Sequence, residues 1–232
     1  MRVIIFFLNT IILLGLIPVH SLHAQQSGEM LLFEIDSNRY EKRNFNKQDQ
    51  LQSSQKLIVG SIEETEDIYR LALELYSYNA EGELQDSTKT TYSCRPDEQQ
   101  VLLNIFPFSD YGNGNEIKVK LLDTNTFYPI APELGWEMEP IEFALNIDKG
   151  LVGFLGGKSK INIYERRVVS NDTLQTGQYE INSQVNFSVF VLGIKMKEIA
   201  FQVIEIIDKD RGIIWQKFTR KDDDSYFVIR LI

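Results

Sequence analysis

Four carboxylates, Glu133, Glu137, Glu139 and Glu142, flank Trp136 within a short stretch of the chain. A pair of acids is the minimum equipment for glycoside hydrolysis, and an indole beside them can stack on a sugar ring. That chemistry also needs the two carboxyls held at a fixed separation with one pKa raised by burial, and nothing in this segment enforces burial. Pro129, Pro132, Pro140 and Gly135 mark Tyr128–Pro140 as a long irregular connection. The acids are therefore expected in water, with Trp136 closing a sheet edge or forming a ligand-contacting lip.

Other candidate chemistries fail on spacing. Gly153-Phe154-Leu155-Gly156-Gly157-Lys158-Ser159 imitates a phosphate loop, but Val152 stands where that motif requires its first glycine. Alternation through Ile161 and Ile163 then reads as a strand, so no helix N-terminus would face a phosphate. Asp208-x-Asp210-x-Gly212 resembles the opening of a calcium loop, and Asp222, Asp223 and Asp224 follow nearby. If 212–220 is a strand, the two acidic turns lie at its opposite ends, roughly 30 Å apart, and cannot share an ion. Each reads as a solvated hairpin turn. Neither a metal nor a cofactor is expected.

Nucleophiles are scarce as well. The chain's histidines, His20 and His23, lie in or beside an apolar N-terminal leader, so the body has no histidine base for a serine or cysteine nucleophile. Cys94 is the only cysteine; it cannot form an intramolecular disulfide and is expected to be buried. No catalytic residue is assigned and the chain is expected not to be an enzyme, with a carboxylate-based glycan hydrolase as the distant alternative.

The leader itself has the form of a signal peptide. Met1-Arg2 gives a positive start, Val3–Val19 is almost wholly apolar, and Ser21-Leu22-His23-Ala24 offers a small residue before Gln25. The expected organisation is a signal peptide over residues 1–24 and one domain over 25–232, in the periplasm or secreted, with no stable membrane span after cleavage. No cysteine stands at the cut to carry a lipid anchor. The net charge of −9, with its bases scattered, disfavours nucleic acid as a partner and repels anionic lipid surfaces.

Hydrophobic periodicity then sets the fold class. From Tyr179 to Val191 the odd positions include Tyr179, Ile181, Val185, Phe187, Val189 and Val191, while Glu180, Asn182, Gln184 and Asn186 alternate with them. A strand of this length would extend roughly 40 Å and must coil with the twist of its sheet. Turn signals at 46–49, 64–67, 79–82, 170–172, 208–212 and 221–224 separate further runs. Those runs lie near 30–45, 51–63, 68–78, 84–94, 98–106, 115–122, 141–148, 159–169, 178–192, 196–207, 212–220 and 225–232. All are read as strands, although Asp97 could cap a short helix within 98–106. The expectation is an all-β antiparallel meander forming a curved open or half β-barrel, with little helix beyond the signal peptide.

The order of segments resembles a family. An opening strand leads by a hairpin into Ile68–Tyr78, then Tyr92-Ser93-Cys94, Phe127-Tyr128-Pro129 and Glu133-Leu134-Gly135-Trp136. Glu165-Arg166-Arg167-Val168-Val169, Leu174-Gln175-Thr176-Gly177-Gln178-Tyr179 and Asp210-Arg211-Gly212-Ile213-Ile214 follow, ahead of a closing strand to Leu231. Together these look like the TapB-like family of exported bacterial proteins of unknown function, over nearly the whole body. The resemblance implies a half or open barrel of the kind used by periplasmic lipoprotein carriers, with no established catalytic residues.

A concave apolar face on an unclosed sheet would bind small hydrophobic molecules. Trp136, Tyr164, Tyr179, Phe187, Phe201 and Trp215, with Phe218, are the candidate lining. The expected partner is a lipid or other apolar small molecule held there, or an envelope protein. The alternative is a structural or assembly module of the cell envelope, which predicts a filled interior and an exposed apolar patch or free sheet edge.

Overall fold

The computed structural model describes residues 38–111, 116–123, 127–147, 158–169 and 174–232. The expected signal peptide, the phosphate-loop mimic up to Gly157 and the 170–172 turn lie outside the described residues. Twelve strands follow in order: β1 (Arg39–Phe45), β2 (Leu51–Glu64), β3 (Tyr69–Asn79), β4 (Leu84–Cys94), β5 (Glu116–Asp123), β6 (Glu137–Met138), β7 (Ile141–Ile147), β8 (Lys158–Val169), β9 (Gln178–Val191), β10 (Ile194–Asp208), β11 (Gly212–Arg220) and β12 (Tyr226–Leu231).

Each strand pairs with its neighbour in sequence, except that short β6 sits beside β8 and β5 passes directly to β7. The all-β meander is thus as expected, but the sheet is not an open or half barrel. β12 pairs with β1 and β8 with β9, so eleven strands close a ring. Closure removes the free edges that an open sheet would leave along its length.

An odd ring cannot alternate direction all the way round. One junction must be parallel, and it is β4–β5, joined only through Thr91–Glu116, Tyr92–Ile117 and Ser93–Lys118. A parallel junction needs a crossover between its strands. Here the crossover runs through the barrel: a 3-10 turn at Pro96–Glu98, helix α1 at Val101–Ile105 and a second 3-10 stretch at Phe106–Tyr111. This corrects the reading of 98–106 as a strand. A short apolar run is ambiguous between strand and buried helix.

Closure and crossover are linked by size. About eight strands enclose a lumen that side chains alone can fill, and a wider ring leaves space along its axis. The crossover occupies that space, and every residue of α1 is buried. A helix apolar nearly all round is stable only inside a core. Phe106 tilts against Tyr40 of β1, with ring centroids 5.4 Å apart. Lys42, also inward on β1, donates from Nζ to the Pro107 carbonyl at 3.0 Å and lies 4.7 Å from the centre of the Phe227 ring.

The wall alternates as its sequence does. In β9, Tyr179, Ile181, Val185 and Phe187 are buried and Glu180, Asn182, Gln184 and Asn186 lie toward the outside. In β8, Ile161 and Ile163 are inward, and then the register slips between Tyr164 and Arg167. Glu165 occupies the slip at a φ of 51°. Such a bulge shifts side-chain parity, which turns Arg166 and Val168 inward. This polarity is the reverse of a membrane-spanning barrel, whose outer band is apolar.

Candidate functional site

The interior is where the aromatic set was expected to line a cavity, and it is filled. Phe187 and Phe201, with Phe218, converge on Phe108 of the crossover at centroid distances of 5.1, 6.0 and 5.8 Å. Tyr179 is buried and donates its hydroxyl to the Pro129 carbonyl at 2.7 Å. The other candidates sit elsewhere. Tyr164 is on the outer parity of β8 and donates to Gln184 Oε1 at 3.2 Å. Trp215 is half-buried opposite Ile206 and Arg230, and Trp136 is 40% exposed in the 127–140 connection.

Two small voids of about 10 Å³ each lie against the wall. One is bordered by Tyr40, Phe106 and Ile213, the other by Asn104, Ser183, Glu205 and Gln216. Each is about the size of a single water, far below the several hundred cubic ångströms of a small-molecule pocket.

A polar cluster fixes the crossover to the wall. The Tyr128 hydroxyl lies 2.8 Å from Asn104 Oδ1 and 3.2 Å from Glu205 Oε1, and its one proton serves one acceptor at a time. Gln216 Nε2 donates to Glu205 Oε1 at 2.7 Å. Arg166 lies with its guanidinium carbon 5.4 Å from the Tyr128 ring centre and donates to the Phe127 and Glu139 carbonyls, tying down both ends of the connection. Burial raises the Glu205 carboxyl above the ordinary range, against the lowering by Gln216, Arg166 and Tyr128. Burial also raises the Tyr128 hydroxyl and lowers Arg166. Tyr128, Asn104, Arg166, Glu205 and Gln216 are all buried, so the cluster holds the connection and the crossover against the wall.

Sequence reasoning passed over this cluster. Glu205 does interrupt the inward series Phe201, Val203 and Ile207, a period-two anomaly that could have marked it. Arg166 left no such mark, because the bulge at Glu165 resets the parity before it.

The reactive-looking surface groups have structural partners or face solvent. Glu133, Glu137 and Glu139 are exposed, and Glu142 pairs with Lys160 at 2.8 Å. Asp208 anchors its hairpin by accepting from the Asp210 and Arg211 amides at 3.0 and 3.1 Å and from Gln178 at 3.0 Å. Burial alone would raise its carboxyl, but these bonds and Arg211 hold it down to about 2. Cys94 is buried, and desolvation, with Glu98 and Asp97 nearby, pushes its thiol up to about 12. A thiol so protonated is a poor nucleophile.

The outer surface carries the clearest anomaly, at the β9–β10 turn. Leu192, Ile194 and Met196 are 72%, 65% and 65% exposed. Leu192 and Gly193 take φ values of 52° and 78°, as a two-residue type I′ turn requires. Asn or Gly is the ordinary choice at the first position, since the Cβ of a leucine there crowds the following carbonyl oxygen. Met196 is the unpaired residue of a bulge between Lys195 and Lys197. β11 first meets β10 at Phe201, so Ile194–Ile199 run on past it. That overhang is roughly 20 Å at about 3.3 Å per residue.

No protein-family model matches the chain, and no curated protein does. The TapB-like family drawn from the sequence therefore has no family model behind it. Among solved structures, the chain is similar to a protein from Bacteroides fragilis provisionally described as exported, with a YmcC-like fold. The identity is 11%, over 87% of this chain and 97% of that one, with a TM-score of 0.48. It is also similar to a provisionally described lipoprotein from Parabacteroides distasonis, at 10% identity over 87% and 96% of the two chains and a TM-score of 0.48.

Proposed function

We propose that the chain is a non-catalytic, exported interaction module of the cell envelope that works through its outer surface and not through an internal ligand chamber. The observation that carries this reading is the buried crossover Val101–Phe108, which takes the space an apolar ligand would need. The leader Met1–Ala24 supports export.

A lipid carrier of this fold would have to expel α1 and break the Tyr128–Asn104 and Lys42–Pro107 bonds with nothing polar to replace them. The alternative, an assembly module, asks for a filled interior with an apolar patch or free edge outside. Among the described residues, the overhanging β9–β10 tip supplies both the patch and the edge.

The test is uptake of an apolar fluorescent probe by the wild-type chain and by Phe108→Ala, alongside native mass spectrometry of the chain recovered from an envelope. Wild-type protein should exclude the probe and carry no lipid inside, while the variant admits it. Stoichiometric uptake by the wild type, or a copurifying lipid displaced by the probe, overturns the reading. Hydrolysis of a glycan that is lost in Glu137→Gln with Glu139→Gln would overturn the non-catalytic part.

A further inference from the structure

We infer that the β9–β10 tip, Val191–Lys197, is a membrane-docking element that inserts into the headgroup region of an anionic lipid surface. This rests on the outward-acting reading above and names its partner.

The backbone and the exposure point the same way. Folding would favour Asn or Gly at position 192, yet a leucine stands there in the left-handed region with most of its surface in water. Ile194 and Met196 add further exposed apolar surface beside it, so strain and exposure coincide at one tip. Residues held against local preference point to function when a named outlier is in hand.

Charge selects the occupant. The whole chain carries −9, but the tip presents Lys195 and Lys197. Glu198 accepts from Lys195 Nζ at 2.6 Å and from Ser188 Oγ at 3.0 Å, so it offsets Lys195 and the net positive charge of the tip is that of Lys197. Large apolar side chains at the point of a loop, with lysines set just behind, match the layering of an anionic bilayer interface. Three side chains on a convex tip bury too little for a stable dimer of this chain. Addition of a partner strand along Ile194–Ile199 is opposed by the edge lysines and by the bulge at Met196, which breaks the flat ladder.

The experiment is co-sedimentation of the exported chain with vesicles of phosphatidylcholine containing phosphatidylglycerol and with vesicles of phosphatidylcholine alone. Wild type should bind the anionic vesicles, less so as salt is raised. Leu192→Asn should weaken that binding about tenfold, the effect of withdrawing one large apolar side chain. Lys197→Gln should flatten the salt dependence. Leu192→Asn should keep its thermal midpoint or raise it, which separates lost docking from lost folding.

Wild type that ignores both vesicles, or binding that Leu192→Asn and Ile194→Ser leave unchanged, overturns the inference. The second outcome includes attachment through a retained leader. Dimerisation abolished by the same variants also overturns it, in favour of a second copy. Each of these leaves the filled-barrel reading standing, whereas probe uptake by the wild type removes that reading itself.

Discussion

Tyr128 and Asn104 meet with 2.8 Å between hydroxyl and amide oxygen, so the 127–140 connection is bonded to the helix that fills the barrel. Their partner Glu205 lies on β10, and the contact thus ties three separate parts of the chain together. Removing the hydroxyl in Tyr128→Phe takes the donor from buried Asn104 Oδ1, while Glu205 Oε1 keeps Gln216. The expected loss is about 1–3 kcal/mol, read as a lower urea midpoint at unchanged slope.

Phe108 is the ring on which Phe187, Phe201 and Phe218 close. Phe108→Ala should cost about 3–5 kcal/mol and open an apolar cavity within the wall. Equilibrium unfolding gives the loss. A destabilisation well under 1 kcal/mol would mean that the crossover is not packed as described.

Leu192→Asn should stabilise the fold by about 1 kcal/mol, because asparagine tolerates the left-handed conformation that leucine resists. Thermal unfolding measures it. A lower midpoint would show that Leu192 makes a stabilising contact and that no strain is stored at the turn.

The pH dependence follows from Glu205. Its carboxyl is raised by burial, so the native state holds a proton that the unfolded chain releases. Stability therefore falls as pH rises from the ordinary glutamate range through the raised native value. Glu205→Gln removes this term, and its stability relative to wild type should be more favourable at pH 7 than at pH 4. An equal difference at both values would place the native carboxyl in the ordinary range.

Asp208 acts in the opposite sense. Its native value of about 2 lies below the ordinary aspartate value, so its contribution is full above the unfolded pKa and fades as pH falls toward 2. Asp208→Asn should be destabilising at neutral pH and nearly neutral in strong acid, as followed by denaturant titration.

The strands were legible in the sequence because their cause is local. Period-two alternation in 179–191 and turn residues at 208–212 and 221–224 act within a few residues of themselves, and β9, β11 and β12 lie within a residue or two of where those patterns place them. Residues 98–106 were not legible, since Val101–Phe106 is apolar but for Asn104 whichever way it winds. Its conformation was settled by the width of the ring around it. Closure likewise depends on β12 meeting β1, a distance in sequence that no local pattern spans.

The candidate site divides along the same line. Sequence alone determined that Phe187 and Phe201 point inward, because parity in a strand is a property of the strand. Only the tertiary structure decided that they pack against Phe108, that the bulge at Glu165 turns Arg166 inward, and that Leu192 stands strained and exposed on an overhang. Those outcomes depend on ring size, register and relative strand length, which are set by how the whole chain closes upon itself.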